Sequence, residues 1–290
     1  MIRAALLALA LATAVAALHA APVTPSNTSF VTTDGVRLHV LEAGTTKPGR
    51  PTLAFVPGWS MPASIWSGQV EAFAGSHKVV ALDPRGQGAS EVPGSGYTTE
   101  RRAEDLHEFV SRHSPVVLVT WSMASLEALH FIGVHGHKAV RALVIVDSSV
   151  GEGPAPPRAD PATGFQAQLR RDREKVLEDF VRGLFKRPQP ESRLAALRDG
   201  ALRLPLEASL SLFPGERIPR EHWRSIVNAF PKPLLYVVTP QFSVQAQSLR
   251  KNRPATEVAV FDKAGHALFV DEPERFSTVL RNFLSRHKLN

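Results

Sequence analysis

Six short runs dominated by apolar residues recur along this chain, at Thr52–Val56, Lys78–Leu82, Val116–Val119, Ala142–Val146, Leu234–Val238 and Glu257–Phe261. Runs this continuously apolar suit parallel strands covered on both faces, since a strand with one wet face would alternate. Between them lie helical patterns near Ala63–Phe73, Thr99–His113, Met123–Val134 and Pro273–Leu284. Such alternation predicts an open α/β architecture: a mostly parallel sheet, flanked by helices and built with right-handed crossovers. A hairpin is expected ahead of it, because Asp34-Gly35 separates the strand-like runs Ser29–Thr33 and Val36–Leu41.

The rhythm breaks once. Roughly 85 residues separate Val146 from Leu234, far more than a crossover requires. Helical periodicity over Phe165–Phe185 and Ser192–Leu204, with proline punctuation at Pro154–Pro157 and Pro188–Pro190, predicts a helical cap inserted after the sixth strand. The expected organisation is a core of residues 28–147 and 233–290 interrupted by a cap over 148–232.

The first 21 residues have the order of a secretory signal peptide. Arg3 is followed by an apolar run from Ala4 to Leu18, then by Ala20, Ala21 and Pro22. The run is short for a bilayer span, and no second one follows. An exported protein, periplasmic or secreted, is therefore expected, with no integral membrane segment after cleavage. The absence of cysteine excludes disulfides, thiol catalysis and thiolate metal sites. A formal charge of +7 raises the question of nucleic acid. Residues 151–232 carry 15 Lys/Arg against 11 Asp/Glu, but the two signs alternate, as in Arg170-Arg171-Asp172-Arg173-Glu174-Lys175, without interleaved aromatics. That pattern suits a solvated helix face, so no nucleic-acid partner is expected.

Three segments carry chemistry. In Val116-Val117-Leu118-Val119-Thr120-Trp121-Ser122-Met123-Ala124-Ser125, the serine falls where a strand gives way to a helix. An abrupt turn there exposes the hydroxyl and aims the N–H groups of the new helix toward it. Small neighbours are needed because strand and helix approach closely. Ala124 meets this need, whereas the β-branched Thr120 crowds the turn. In Phe55-Val56-Pro57-Gly58-Trp59-Ser60, Gly58 permits a tight turn after a strand, and the Trp59 N–H with that of Met123 could form an oxyanion hole. In Asp262-Lys263-Ala264-Gly265-His266-Ala267, the histidine follows the last strand, at the sheet edge where ligands bind. His130, His135 and His137 also cluster, but at a helix end and without a carboxylate, so no metal is expected there.

From about Phe30 to Leu289 the chain resembles the α/β-hydrolase superfamily, particularly its esterase and cofactor-free haloperoxidase-like branch. Leu82-Asp83-Pro84-Arg85-Gly86-Gln87-Gly88-Ala89-Ser90 is similar to the family's D-x-R-G-x-G-x-S segment, and Asp271-Glu272-Pro273-Glu274-Arg275-Phe276 to its ending. The resemblance implies the α/β-hydrolase fold, with Ser122 as nucleophile and His266 as general base. It also implies that Asp83, Arg85 and Ser90 fix a loop. A histidine base needs a carboxylate to orient it. Most of the superfamily carries that acid after the strand before the histidine's, yet residues 233–256 contain no Asp or Glu at all. Asp147, directly after the preceding strand, is the expected substitute, as in haloalkane dehalogenases; Asp262 is the alternative. The implied activity is hydrolysis of a small carboxylic ester or lactone through an acyl-enzyme, with no metal or organic cofactor. Met61 and Trp121 are expected to contact substrate. Competing readings are a haloperoxidase or perhydrolase using the same triad, a peptidase of the prolyl-aminopeptidase type, and a hydrolase-fold binding protein without catalysis.

Overall fold

In a computed structural model, residues 24–155, 160–213 and 218–290 are described. The signal segment read at residues 1–21 lies outside them. The described residues form an eight-stranded sheet: β1 (Ser26–Val31), β2 (Arg37–Ala43), β3 (Thr52–Val56), β4 (Val79–Leu82), β5 (Val116–Trp121), β6 (Val140–Val146), β7 (Leu234–Val238) and β8 (Glu257–Val260). Their spatial order is β1-β2-β4-β3-β5-β6-β7-β8. β2 runs antiparallel to both its neighbours and the other pairings are parallel. The expected hairpin is present, pairing Phe30 with Leu38 across the turn.

Eleven α-helices flank or extend the sheet among the described residues: α1 (Ser67–Ala74), α2 (Thr99–His113), α3 (Met123–His135), α4 (Phe165–Arg171), α5 (Arg173–Gly183), α6 (Glu191–Leu202), α7 (Leu206–Ser211), α8 (Arg220–Ala229), α9 (Ser243–Asn252), α10 (Leu268–Asp271) and α11 (Pro273–Arg286). The period-two alternation of the strands sorts the core into two layers. Leu53, Phe55, Val117, Val119, Val144 and Val237 pack with α1, α11 and α4 to α7. Ala54, Val56, Leu118, Ile145 and Tyr236 pack with α2, α3, α8 and α9. Both faces are thus covered, which is why the strands read as unbroken apolar runs. Among the described residues no helix is long and apolar enough to cross a membrane.

Helices α4 to α8 occupy the long interval between β6 and β7. The stretch read as one helical pattern over Phe165–Phe185 is two helices. Asp172 leaves helical geometry at φ −149°, ends α4, and caps α5 by accepting from the Lys175 N–H at 3.2 Å. A short carboxylate that competes for backbone donors favours this role over a helix interior.

The site is placed by topology. The chain leaves β3 in one direction, to β4, and returns past it to β5. The carboxyl ends of β3 and β5 therefore flank the crevice where strand order reverses, the usual ligand position in such sheets.

Candidate active site

Ser122 is the sole residue between β5 and α3, with φ 55° and ψ −127°. This sparsely populated conformation costs on the order of 1–3 kcal/mol and persists only where surrounding structure enforces it. Here the Ser122 N–H donates to the Val146 carbonyl at 2.9 Å, continuing the ladder to β6, while its own carbonyl already accepts from Ser125 in the first turn of α3. The side chain is partly exposed between buried neighbours. Gly58, at the end of β3, approaches so closely that a Cβ there would lie 2.9 Å from Ser122 Cβ and 3.2 Å from the Trp121 carbonyl oxygen.

Thr120 is accommodated rather than expelled. Its side chain is fully buried, and its hydroxyl lies 3.0 Å from Ser125 Oγ, which donates to the Thr120 carbonyl at 3.1 Å. The β-branched residue thereby ties the end of β5 to the first turn of α3.

Asp147 follows β6 directly, with φ 44° and 1% exposure. Its N–H donates to the Val237 carbonyl at 2.8 Å. One carboxylate oxygen, Oδ1, accepts from the Thr239 N–H at 2.6 Å; the other, Oδ2, lies 2.7 Å from His266 Nδ1. The segment after β7, empty of acids, thus supplies a backbone donor that orients an acid from β6. Beside it the Tyr236 hydroxyl donates to the Ser148 carbonyl at 2.6 Å. Burial, and then the negative charge of Asp147, pushes this phenol up, so it stays protonated. Asp262 is largely exposed and lies 3.8 Å from Arg275; its side chain has no contact with His266 among the hydrogen bonds of the site.

The loop carrying His266 is clamped on two sides. The Trp121 indole N–H donates to the His266 carbonyl at 2.9 Å, and the two rings lie 5.1 Å apart. Asp271, 1% exposed, accepts from the Gly265 N–H at 2.7 Å and from those of Lys186 and Arg187 at 2.8 and 3.2 Å. Ala267 donates to the Leu184 carbonyl at 2.8 Å. The link between α5 and α6 is therefore bonded directly to the histidine loop. In the sequence Asp271 is visible only as part of a terminal motif, and nothing local marks this anchoring role.

The turn after β3 is equally fixed. Ser60 has φ 58°, and the Gln87 side chain donates to the carbonyls of Gly58 and Met61. The Trp59 ring turns away into the helical insertion, 5.5, 5.2 and 5.3 Å from the rings of Phe165, Phe180 and Phe213. Its indole N–H donates to the Ser209 carbonyl at 2.8 Å. Met61 is wholly buried and Trp121 is 1% exposed, against Phe269 and His266. A surface cleft of about 540 Å³ opens at Phe165 and Phe213, lined also by Asp160, Gln166 and Arg170 and not by Ser122, Asp147 or His266.

Asp83, Arg85 and Ser90 are loop-fixing groups. The Asp83 carboxylate accepts from the Ala63 and Ala89 N–H groups and from His39, and Arg85 pairs with Asp105 at 2.6 Å. The histidines near the end of α3 turn to separate neighbours: His130 meets His222, and His135 stacks on His107 and bonds Glu104.

A family model described as the alpha/beta hydrolase family matches residues 53–279. The pimeloyl-[acyl-carrier protein] methyl ester esterase of Vibrio campbellii is 27% identical over 249 residues, covering 80% of this chain and 94% of that protein. A bromoperoxidase structure from Bacillus anthracis superposes with a TM-score of 0.78 at 22% identity, covering 90% of this chain and 100% of that one. An esterase from Exiguobacterium antarcticum also gives 0.78, at 20% identity, over 89% and 99% of the two chains. The family match begins in β3 and ends within α11, taking in every segment just described around Ser122, Asp147 and His266: the chain belongs to the alpha/beta hydrolase family.

Proposed function

We propose that this protein is a serine hydrolase that cleaves a carboxylic ester or lactone through an acyl-enzyme. The observation that carries the reading is the 2.7 Å contact between His266 Nδ1 and an Asp147 carboxylate that is itself pinned by the Thr239 N–H. That arrangement leaves Nε2 as the base, on the same sheet edge as Ser122. Ser122 Oγ attacks the substrate carbonyl as His266 takes its proton, and Asp147 stabilises the imidazolium. The Trp59 and Met123 N–H groups receive the developing oxyanion. Collapse expels the alcohol with the proton from His266; water, activated by the same ring, then releases the acid. We assign Met61 and Trp121 to the support of these groups rather than to substrate contact, given their burial.

The similarity to a methyl ester esterase and an esterase structure supports ester chemistry. The bromoperoxidase fold match favours one second reading, in which peroxide replaces water as acyl acceptor on the same triad. Sequence residues 1–21 support export of the enzyme. A fluorophosphonate probe tests the central reading: it should form an adduct on Ser122 of the folded protein, with loss of p-nitrophenyl ester hydrolysis. No adduct would overturn it. Peracid formation measured beside hydrolysis on one acyl donor separates the two acceptors.

A further inference from the structure

The Gly58 carbonyl and the Trp59 N–H belong to one peptide unit. In a trans peptide the two point in opposite directions, so whatever holds the carbonyl aims the N–H. This peptide needs holding. The close approach to Ser122 requires glycine at position 58, and glycine leaves the adjoining backbone more free to rotate than any other residue would.

The Met61 N–H donates to the Gly58 carbonyl at 3.3 Å across the turn, and Gln87 adds a second, shorter hold. Its Nε2 donates to the Gly58 carbonyl at 3.0 Å and to the Met61 carbonyl at 2.7 Å, so that both ends of the turn hang on one amide group. Gln87 is 1% exposed, and no competing solvent contact loosens it. A side-chain amide could sit either way round, and the reverse orientation would set its oxygen against two carbonyls. Arg102 removes that freedom, because its Nη1 donates to Gln87 Oε1 at 3.1 Å. Arg102 has no acceptor capacity of its own, so it can face only the oxygen. Its other arm donates to Glu127 at 3.2 Å, and both residues are 2% exposed. Glu127 lies in the second turn of α3, the helix that begins at Met123. A continuous buried chain therefore joins the helix carrying one candidate oxyanion donor to the turn carrying the other.

This chain is not an obvious stabilising device. Burying an ion pair costs several kcal/mol per ion unless its hydrogen bonds are complete, and Glu127 Oε1 is buried without a partner. The burial pushes the Glu127 carboxyl up, against the pull of Arg102.

We propose that Gln87 is a positioning residue for catalysis: it sets the Gly58–Trp59 peptide plane so that the Trp59 N–H faces the oxyanion, while Arg102 and Glu127 fix the orientation of its amide. The proposal rests on the serine-hydrolase reading above. Donation to the Gly58 carbonyl also polarises the peptide and strengthens its N–H as a donor.

The test uses the whole chain, a p-nitrophenyl ester, the matching thionoester, and fluorophosphonate titration of active sites. Thiocarbonyl sulfur accepts hydrogen bonds poorly, so the oxygen-over-sulfur rate ratio reports the oxyanion donors. Gln87→Met should lower kcat per titrated site about 10- to 100-fold, a fraction of the loss expected for deleting a donor outright. KM should stay within about twofold, and the oxygen-over-sulfur ratio should fall. Arg102→Lys keeps a positive charge opposite Glu127 but lacks the fork; it should lower the same ratio by a smaller factor, and it serves if the Met variant does not fold. A role in stability alone would reduce melting temperature or active-site titre and leave kcat per site and the ratio at wild-type values. That result overturns the proposal. If wild-type Ser122 takes up no fluorophosphonate, the hydrolase reading has failed instead.

Discussion

Replacing Asp147 by asparagine changes one atom's chemistry with almost no change in shape, and the structure dictates which way the new amide must face. The Thr239 N–H lies 2.6 Å from Oδ1 and can only donate. The asparagine oxygen must stay there, since the reverse orientation would oppose two donors and strand a buried N–H at a cost of about 1–3 kcal/mol. The amide nitrogen then takes the Oδ2 position, 2.7 Å from His266 Nδ1. Two donors cannot share that contact, so Nδ1 must present its lone pair and Nε2 must carry the proton. A protonated, neutral Nε2 cannot accept from Ser122. The loss should resemble that of a triad held in the wrong tautomer, about 10⁴-fold in kcat, or about 5.5 kcal/mol of transition-state stabilisation. The assay is steady-state hydrolysis of a p-nitrophenyl ester at pH 7.5, with near-UV circular dichroism to show that the variant is folded. Asp262→Asn is the companion variant and should stay within about twofold of wild type, because its side chain pairs with Arg275 at the surface. A folded Asp147→Asn enzyme that loses less than about tenfold would refute the reasoning.

Three further outcomes follow from particular contacts. Ser122→Gly should raise the urea midpoint relative to Ser122→Ala by an amount equivalent to roughly 1 kcal/mol, because glycine tolerates φ 55°; both should be inactive, and equal midpoints would remove strain from the account of the turn. Thr120→Val keeps shape but removes the hydroxyl facing Ser125, so chemical denaturation should reveal a loss of about 1–3 kcal/mol with kcat little changed; an undiminished midpoint would deny that pairing. His77 is held below its ordinary imidazole range by burial, despite donating to the Leu289 carbonyl at 3.0 Å. Its folded form therefore binds a proton less readily than the unfolded chain, and stability is lost as pH falls below about 6.5. His77→Gln should shrink the drop in urea midpoint between pH 7.5 and 5.5; an unchanged drop would place the acid sensitivity elsewhere.

Several parts of this molecule can be read in the chain because burial leaves a periodic mark. The central strands are buried on both faces and so spell unbroken apolar runs, and their order gives the parallel sheet. Asp147 is legible through a vacancy: no carboxylate lies between β7 and β8, and the structure brings Asp147 to His266. The Thr239 N–H that pins it carries no residue signature, since any amino acid but proline offers one. The break at Asp172 hides inside an alternation of charges that suits an unbroken helix equally well. α9 is mostly polar, burying only Ala246 and Leu249, and its short apolar face gives too weak a period to read. Gln87, Arg102 and Glu127 look like surface residues until three separate elements converge to bury them. Asp271 binds backbone donors 84 and 85 residues away, a pairing that no local pattern announces.

Trp59 is one residue with two allegiances. Its backbone belongs to the turn beside Ser122, while its ring is enclosed by Phe165 and Phe180, from α4 and α5, with Phe213 just beyond α7. Its indole N–H is bonded to α7 at Ser209. The helical insertion is therefore bonded to the same residue whose backbone forms the turn beside Ser122. Substitutions that displace Phe165, Phe180 or Phe213 would remove the packing that encloses the Trp59 ring. A foreign helical insertion grafted onto this sheet would accordingly have to enclose the Trp59 ring and supply an acceptor for its indole N–H.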